Sequence, residues 1–303
     1  MKPNILVILD KWIDGKIGFS KSPSEHNILY TLEESNLCNI NVLFLEESQP
    51  IDNAIVNFVT NNHIDAIIFV YLGYSHLNPK DYVLKYLKDK NIPMCFIWPD
   101  TGFSWCVELI LRISEYATLQ VAVDGGQPYL NNIPNVYITY MPASEKLFYN
   151  EEKSIDISFL GTIKDNREGY LSFLQTNGIN IFVATGQRNT RMTIEDYAAI
   201  VRKSAIIVNF TITGMGSQCK ARVLETIQSN CLLLEGQNDK TSKFFNPGLD
   251  YIEYTTPEDL LYKCKHYLNN PDLRLAIAKT GYTTARKKYT NIQYWQKILD
   301  RIL

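Results

Sequence analysis

Ile155-Asp156-Ile157-Ser158-Phe159-Leu160-Gly161 reads as a buried strand closed by a glycine, and it opens a pattern that then runs to the end of the chain. Downstream, Glu168 to Thr176 has helical spacing and Ile179 to Ala184 is apolar enough for a strand. Ile194 to Lys203 is a helix with Thr193 as N-cap, Ala205 to Phe210 a strand, Lys220 to Ser229 a helix and Leu232 to Leu234 a strand. Tyr251 to Glu253 adds a short strand. Thr256-Pro257 and Asn270-Pro271 each place a capping residue before a proline at the first helical position. Thr290 and Gln293 have capping-box spacing at the start of a last helix, to Leu303.

Upstream the same alternation occurs. Ile5 to Leu9, Val42 to Leu45, Ala66 to Tyr71, Pro93 to Trp98, Thr118 to Val123 and Val136 to Tyr140 read as strands. Ser24 to Ser35, the Ala54–Val59 region, Pro79 to Lys90 and Trp105 to Glu115 read as helices between them. Unbroken aliphatic strands separated by helices predict parallel sheets covered on both faces. The stretch near 141–155 interrupts the rhythm, so the fold class is α/β with two Rossmann-like domains facing a central cleft. We assign 1–145 to the first domain, 146–290 to the second and 291–303 to a helix returning toward the first. A length of 303 residues suits two such cores. Open sheets of this kind take ligands at the carboxyl ends of their strands.

Composition narrows the function. A net charge of −2 gives no basic excess for a phosphate backbone, so nucleic acid is not an expected partner. Asp10 and Lys11 cut short the only apolar run near the start, and nothing approaches a membrane span, so a cytoplasmic protein is expected. The six cysteines are scattered without a Cys-x-x-Cys pair, which points to packing thiols and to no metal site.

Two loops in the second half carry the chemistry. Gly161, at a strand end, lets a ligand approach the backbone, and Arg167 lies at the start of the next helix, where a guanidinium can grip a phosphate. Thr213-Gly214-Met215-Gly216-Ser217-Gln218-Cys219-Lys220 then runs into a helix bearing Arg222 and Glu225. Gly214 and Gly216 free that loop to wrap an anion, Lys220 and Arg222 add charge for a diphosphate, and Glu225 can face the cleft and accept two ribose hydroxyls. The plainer alternative is an Arg222–Glu225 surface pair.

These landmarks, in this order, resemble the CgeB-like (spore-maturation) glycosyltransferases over roughly 155–290. The resemblance rests on Asp156-Ile157-Ser158-Phe159-Leu160-Gly161 with Arg167, on Lys220-Ala221-Arg222-Val223-Leu224-Glu225, and on Phe244-Phe245-Asn246-Pro247-Gly248 before Tyr251-Ile252. Pro257-Glu258-Asp259-Leu260, Ile277 to Tyr282 and Tyr289-Thr290 complete it. It implies a GT-B fold, a nucleotide-sugar donor (a UDP-sugar favoured) held by the second domain, and a glycan or small-molecule acceptor held by the first. It implies no cofactor beyond the donor as co-substrate, and no metal. Retaining relatives carry two glutamates seven residues apart. The second falls on Glu225, contacting ribose, and the first on Ser217, which departs from the pattern.

If the reaction inverts, its base is sought in the first domain's loops, where Asp14, His26, His76 and Asp100 are candidates. Trp12, Tyr74, Trp98, Phe103 and Trp105 occupy or flank the same loops and offer faces for an acceptor ring. Two rival readings are a nucleotide-sugar epimerase of GT-B type and a catalytically inactive sugar-nucleotide-binding module.

Overall fold

The structure, a computed structural model, describes residues 1–73, 75–186, 191–213 and 216–303. The chain divides into two compact units, Met1–Pro142 with Asn291–Leu303, and Ala143–Thr290.

The first unit is built on β1 (Asn4–Leu9), β2 (Asn39–Phe44), β3 (Ala66–Val70), β4 (Met94–Trp98), β5 (Leu119–Ala122) and β6 (Val136–Ile138). They pair in the order β2-β1-β3-β4-β5-β6, all parallel. Parallel neighbours need crossovers, and those leading to β2, β3, β4 and β5 are helices α1 (Tyr30–Ser35), α2 (Ile51–Asn61), α3 (Asp81–Asp89) and α4 (Ser104–Ile113), while a 3-10 turn, Pro128–Asn132, leads to β6. Helices on both faces explain why Ile5 to Leu9 are all buried rather than alternating. The segment expected as one helix from Ser24 is a π-helical turn, Glu25–Leu29, leading into α1. Trp98, offered above as an acceptor platform, is core instead. It is 1% exposed, stacks on Phe96 and donates its Nε1–H to Gln120 Oε1 at 3.0 Å.

The second unit contains β7 (Ile155–Leu160), β8 (Phe182–Ala184), β9 (Ser204–Asn209), a two-stranded hairpin of β10 (Ile212–Thr213) and β11 (Gly216–Ser217), β12 (Leu232–Gly236) and β13 (Ile252–Tyr254). Its main sheet runs β13-β12-β9-β7-β8, again parallel. Helices α5 (Arg167–Thr176), α6 (Ile194–Lys203), α7 (Ala221–Gln228), α8 (Pro257–Asn269) and α9 (Pro271–Lys288) complete it. Thr193 and Thr256 cap α6 and α8, each hydroxyl accepting a backbone N–H at 3.1 Å from Asp196 or Asp259. Asn270 does not cap α9 with its side chain, because its amide donates to the His266 carbonyl. All six cysteines are free and buried.

The last helix, α10 (Asn291–Ile302), belongs to the first unit. It packs on α1 through Trp295, which is fully buried and donates to Thr31 Oγ1 at 3.0 Å. No helix among the described residues is long and apolar enough to cross a membrane.

In both sheets the first strand lies between its two successors: β1 between β2 and β3, and β7 between β8 and β9. The chain leaves to one side and comes back on the other, so the flanking loops splay apart at the carboxyl end. That crevice is where open α/β sheets take ligands.

Candidate donor site

In the second unit the crevice is opened by Gly161, next after β7, and by Asn209, the last residue of β9. Gly161 has φ +146°, a conformation L side chains rarely adopt, and a Cβ there would meet Arg222 Nη2 at 2.9 Å. The glycine therefore leaves room for a guanidinium between the strand ends. Arg222, on the first turn of α7, gives its Nη1–H to Asn209 Oδ1 at 2.9 Å and lies 5.8 Å from the Phe159 ring centroid. Arg167, the first residue of α5, is 7% exposed and gives its Nη1–H to the Thr162 carbonyl at 2.9 Å. Burial, then the neighbouring charge of Arg222, hold its guanidinium below the ordinary range.

Three buried donors at these strand ends have no partner: Arg167 Nε, Arg222 Nε and Asn209 Nδ2. Each such orphan costs roughly 1–3 kcal/mol, and two like charges add repulsion. An anion bound beside them would offset the two positive charges.

A buried carboxyl borders the same place. Glu235, the last residue but one of β12, is fully buried. Its Oε1 accepts from Thr241 Oγ1 at 2.9 Å and Asn238 Nδ2 at 3.1 Å, while Oε2 has no partner. Burial pushes the carboxyl up to about 8, aided by Glu253 and opposed by those two donors and by Arg222. Asn238 also gives its amide to the Gln218 carbonyl at 2.9 Å, tying the end of β12 to the glycine loop.

That loop was expected to be free to wrap a ligand. It is partly a hairpin, and Gly214 lies outside the described residues. Gly216 is exposed with φ +91°, and Ser217 donates to Asp239 Oδ1 at 2.8 Å. Lys220 sits at the N-cap of α7 and its ammonium donates to Gln218 Oε1.

Glu225 is not a surface group. It is 3% exposed and accepts the Tyr197 hydroxyl at 2.7 Å, so the surface-pair alternative gives way. Burial, then the Glu225 charge, raise the Tyr197 phenol far above its usual range.

The first-domain candidates are scattered. Asp14 is exposed in a short turn at φ +57°, and His76 is exposed. His26 is half-buried in the π-helical turn, and desolvation lowers its imidazole to about 4. Asp100 follows β4, half-buried, on a segment fixed by Thr101, whose N–H and Oγ1–H go to Asp124 at 2.7 and 2.8 Å. Phe103 and Trp105 are half-buried and stack at 5.6 Å. Tyr74 lies outside the described residues. Among the described residues no group of three or more His, Cys, Asp or Glu is placed to hold a metal ion.

Asn209, Glu235 and Tyr197 escaped the sequence reading. For the first two a signal existed. Each is the first polar residue after an aliphatic strand run, Ala205–Val208 and Leu232–Leu234, at the end where such sheets bind ligands.

Residues 159–300 match the family model described as glycosyl transferase-like. Among solved structures, Anabaena HepE in complex with UDP-glucose aligns over 98% of both chains with TM-score 0.62 and 9% identity. Sucrose-phosphate synthase from Thermosynechococcus elongatus aligns over 99% of this chain and 98% of its own, with TM-score 0.67 and 10% identity. The fold is GT-B. A DNA-modifying β-glucosyltransferase shares it too, with TM-score 0.57 and 13% identity over 99% of both chains. At these identities the likeness is one of fold. No curated protein sequence matches this GT-B chain.

Proposed function

We propose that the chain is a glycosyltransferase that takes a sugar from a nucleotide-sugar, a UDP-sugar favoured, and passes it to a glycan or small-molecule acceptor. The residue landmarks of the second half support placing it near the CgeB-like enzymes. The HepE structures hold UDP with glucose, or UDP-glucose, which favours uridine as the base here. In this reading the diphosphate sits between Arg167 and Arg222, with Gly161 giving it backbone access. The sugar–phosphate bond breaks toward the diphosphate, whose growing charge two fixed guanidinia stabilise without reorganisation. Those two cations supply the charge a divalent metal would otherwise bring, so turnover is expected to survive EDTA. Retention was compatible with the resemblance. Ser217, engaged with Asp239, brings no carboxylate to the place where retaining relatives have their first glutamate.

The observation that carries the reading is the pair of neighbouring guanidinia with unpartnered Nε atoms. The test is calorimetric titration of uridine and UDP into wild type, Arg167→Ala and Arg222→Ala. Each substitution is expected to weaken UDP at least about tenfold, ~1.4 kcal/mol, and uridine far less. Equal effects on both ligands would remove the diphosphate from this site. A donor sugar changed in place, with no acceptor present, would favour the epimerase. UDP binding without donor hydrolysis or transfer would favour the inactive module.

A further inference from the structure

Asn209, Glu235 and Glu253 are register partners on β9, β12 and β13, so they form one row across the carboxyl end of the second unit's sheet. Partners in register point to the same face. Arg222 reaches this row from α7 through its 2.9 Å bond to Asn209 Oδ1, and its charge acts on Glu235. Yet Glu235 Oε2 bonds neither Arg222 nor anything else, although the residue is fully buried.

A buried carboxylate beside a guanidinium pairs with it. A carboxylic acid need not, and the surroundings keep Glu235 an acid. Burial is the main cause, and Glu253, next to it on β13, adds repulsion. Asn238 Nδ2 and Thr241 Oγ1, which donate to Oε1 from the loop after β12, act the other way, as does Arg222. The two phenols of β13 and its start are engaged. Tyr251 gives its hydroxyl to Glu253 and Tyr254 gives its own to the Asn209 carbonyl, both at 2.9 Å, and burial raises both above their usual range. The ammonium groups of the neighbouring loops are engaged elsewhere. Lys240 pairs with Asp239 at 3.0 Å, and Lys220 donates to Gln218.

We propose that donor binding at this site is proton-linked through Glu235. As an acid, Glu235 leaves the charge of Arg222 to the diphosphate. As a carboxylate it takes Arg222 for itself and sets a negative charge near the ligand. Glu235 is thus a positioning residue that acts through Arg222. The inference rests on the donor reading above and adds to it a dependence on pH. The folded carboxyl's value of about 8 sets the window. Below it Glu235 is already protonated in the free protein, and binding takes up nothing. Above it the diphosphate draws a proton onto Glu235 as it binds. Affinity therefore falls with rising pH, by a factor approaching about ten between pH 7 and pH 9.

The test is calorimetric titration of UDP-glucose into the full chain at pH 7 and pH 9, each in two buffers of different ionisation enthalpy, which counts the protons taken up. UDP-glucose is the probe because its diphosphate carries the same charge at both values. Uridine, which lacks the diphosphate, controls for titration of the base. Wild type is expected to bind UDP-glucose more weakly at pH 9 and to take up about one proton there, with almost none at pH 7. Glu235→Gln, isosteric with the acid, is expected to lose both the fall and the proton uptake. Glu253→Gln removes a repelling charge, so the fall should move to lower pH. A merely structural Glu235 would move none of these. Level affinity without proton uptake in wild type overturns the proposal and leaves the donor reading standing. A fall with proton uptake that persists in Glu235→Gln overturns it as well, by placing the titrating group elsewhere. If Glu235→Gln fails to fold, Glu253→Gln decides, and a fall that does not move there refutes the linkage. No binding of UDP-glucose at either pH removes the donor reading and this inference with it.

Discussion

Tyr197 gives Glu225 its hydroxyl proton from inside the second unit, so Glu225 supports the fold as well as any ligand. Glu225→Ala would leave that hydroxyl without an acceptor, and we expect a stability loss of about 1–3 kcal/mol in chemical denaturation. The sequence reading, which faced Glu225 to the cleft, implied almost none. If the carboxylate also holds ribose, the same variant weakens UDP at least about tenfold, and Tyr197→Phe separates the two effects by disturbing only the first. Unaltered UDP affinity in Glu225→Ala would end the ribose assignment. Glu235 makes a pH prediction. Its folded pKa of about 8 lies above the ordinary 4.5, so between those values the folded state holds a proton that the unfolded state has released. Its contribution is full below pH 4.5 and is lost as pH rises toward 8. Glu235→Gln cannot ionise, so thermal melts should coincide with wild type in acid and exceed it at pH 8. Parallel curves across that range would refute the shift. Residues of this kind were only half legible. Arg167, Arg222 and Gly161 stood out by type and by position after a strand. Asn209 and Glu235 were marked only by standing first after an aliphatic run, and Tyr197 reaches Glu225 from a helix 28 positions away, a pairing no local pattern encodes.

The strands were legible as elements because a doubly covered parallel strand has no alternation to obscure it. β7 and α6 begin and end where their residues predict, and most other boundaries move by one or two positions. Larger misses have physical causes. Ile179 and Ile181 are apolar and buried in the core, yet β8 begins only at Phe182, so burial there does not mean pairing. The hairpin of β10 and β11 is two residues deep on each side, too short for a period to register. At this scale Gly281 is informative. It lies on α9, where a Cβ would stand 2.4 Å from the Asp250 carbonyl and 3.3 Å from Ile227 Cγ2 of α7. Gly281→Ala should raise helix propensity by about 0.5–1 kcal/mol and still destabilise the protein, because overpacking costs about 1–3 kcal/mol. A variant with a higher unfolding midpoint would contradict the close approach of α9. Since α7 carries Arg222 at its other end, we also expect weaker UDP binding in Gly281→Ala.

For the whole molecule, a ligand that binds only the folded state stabilises it, by about 2.7 kcal/mol at 100 times its dissociation constant. UDP is expected to raise the unfolding midpoint equally in EDTA and in magnesium. A shift that appears only with magnesium would transfer the charge-balancing role from Arg167 and Arg222 to a metal. The break in rhythm near 141–155 and the return of 291–303 toward the first domain were both read from the sequence; the contact that holds α10 there, Trp295 meeting Thr31 between opposite ends of the chain, was not. That return makes the second unit an insertion, entered after Pro142 and left before Asn291. On a ribosome, therefore, the unit that starts first is completed last. Residues 143–290 can close their core while β1 to β6 still wait for Trp295. At about 5–20 residues per second, the final helix follows within roughly one to three seconds. During that interval the face of α1 that Trp295 will cover is open to chaperones and proteases, and a stalled chain lacking α10 should be cut in its first unit and spared in its second.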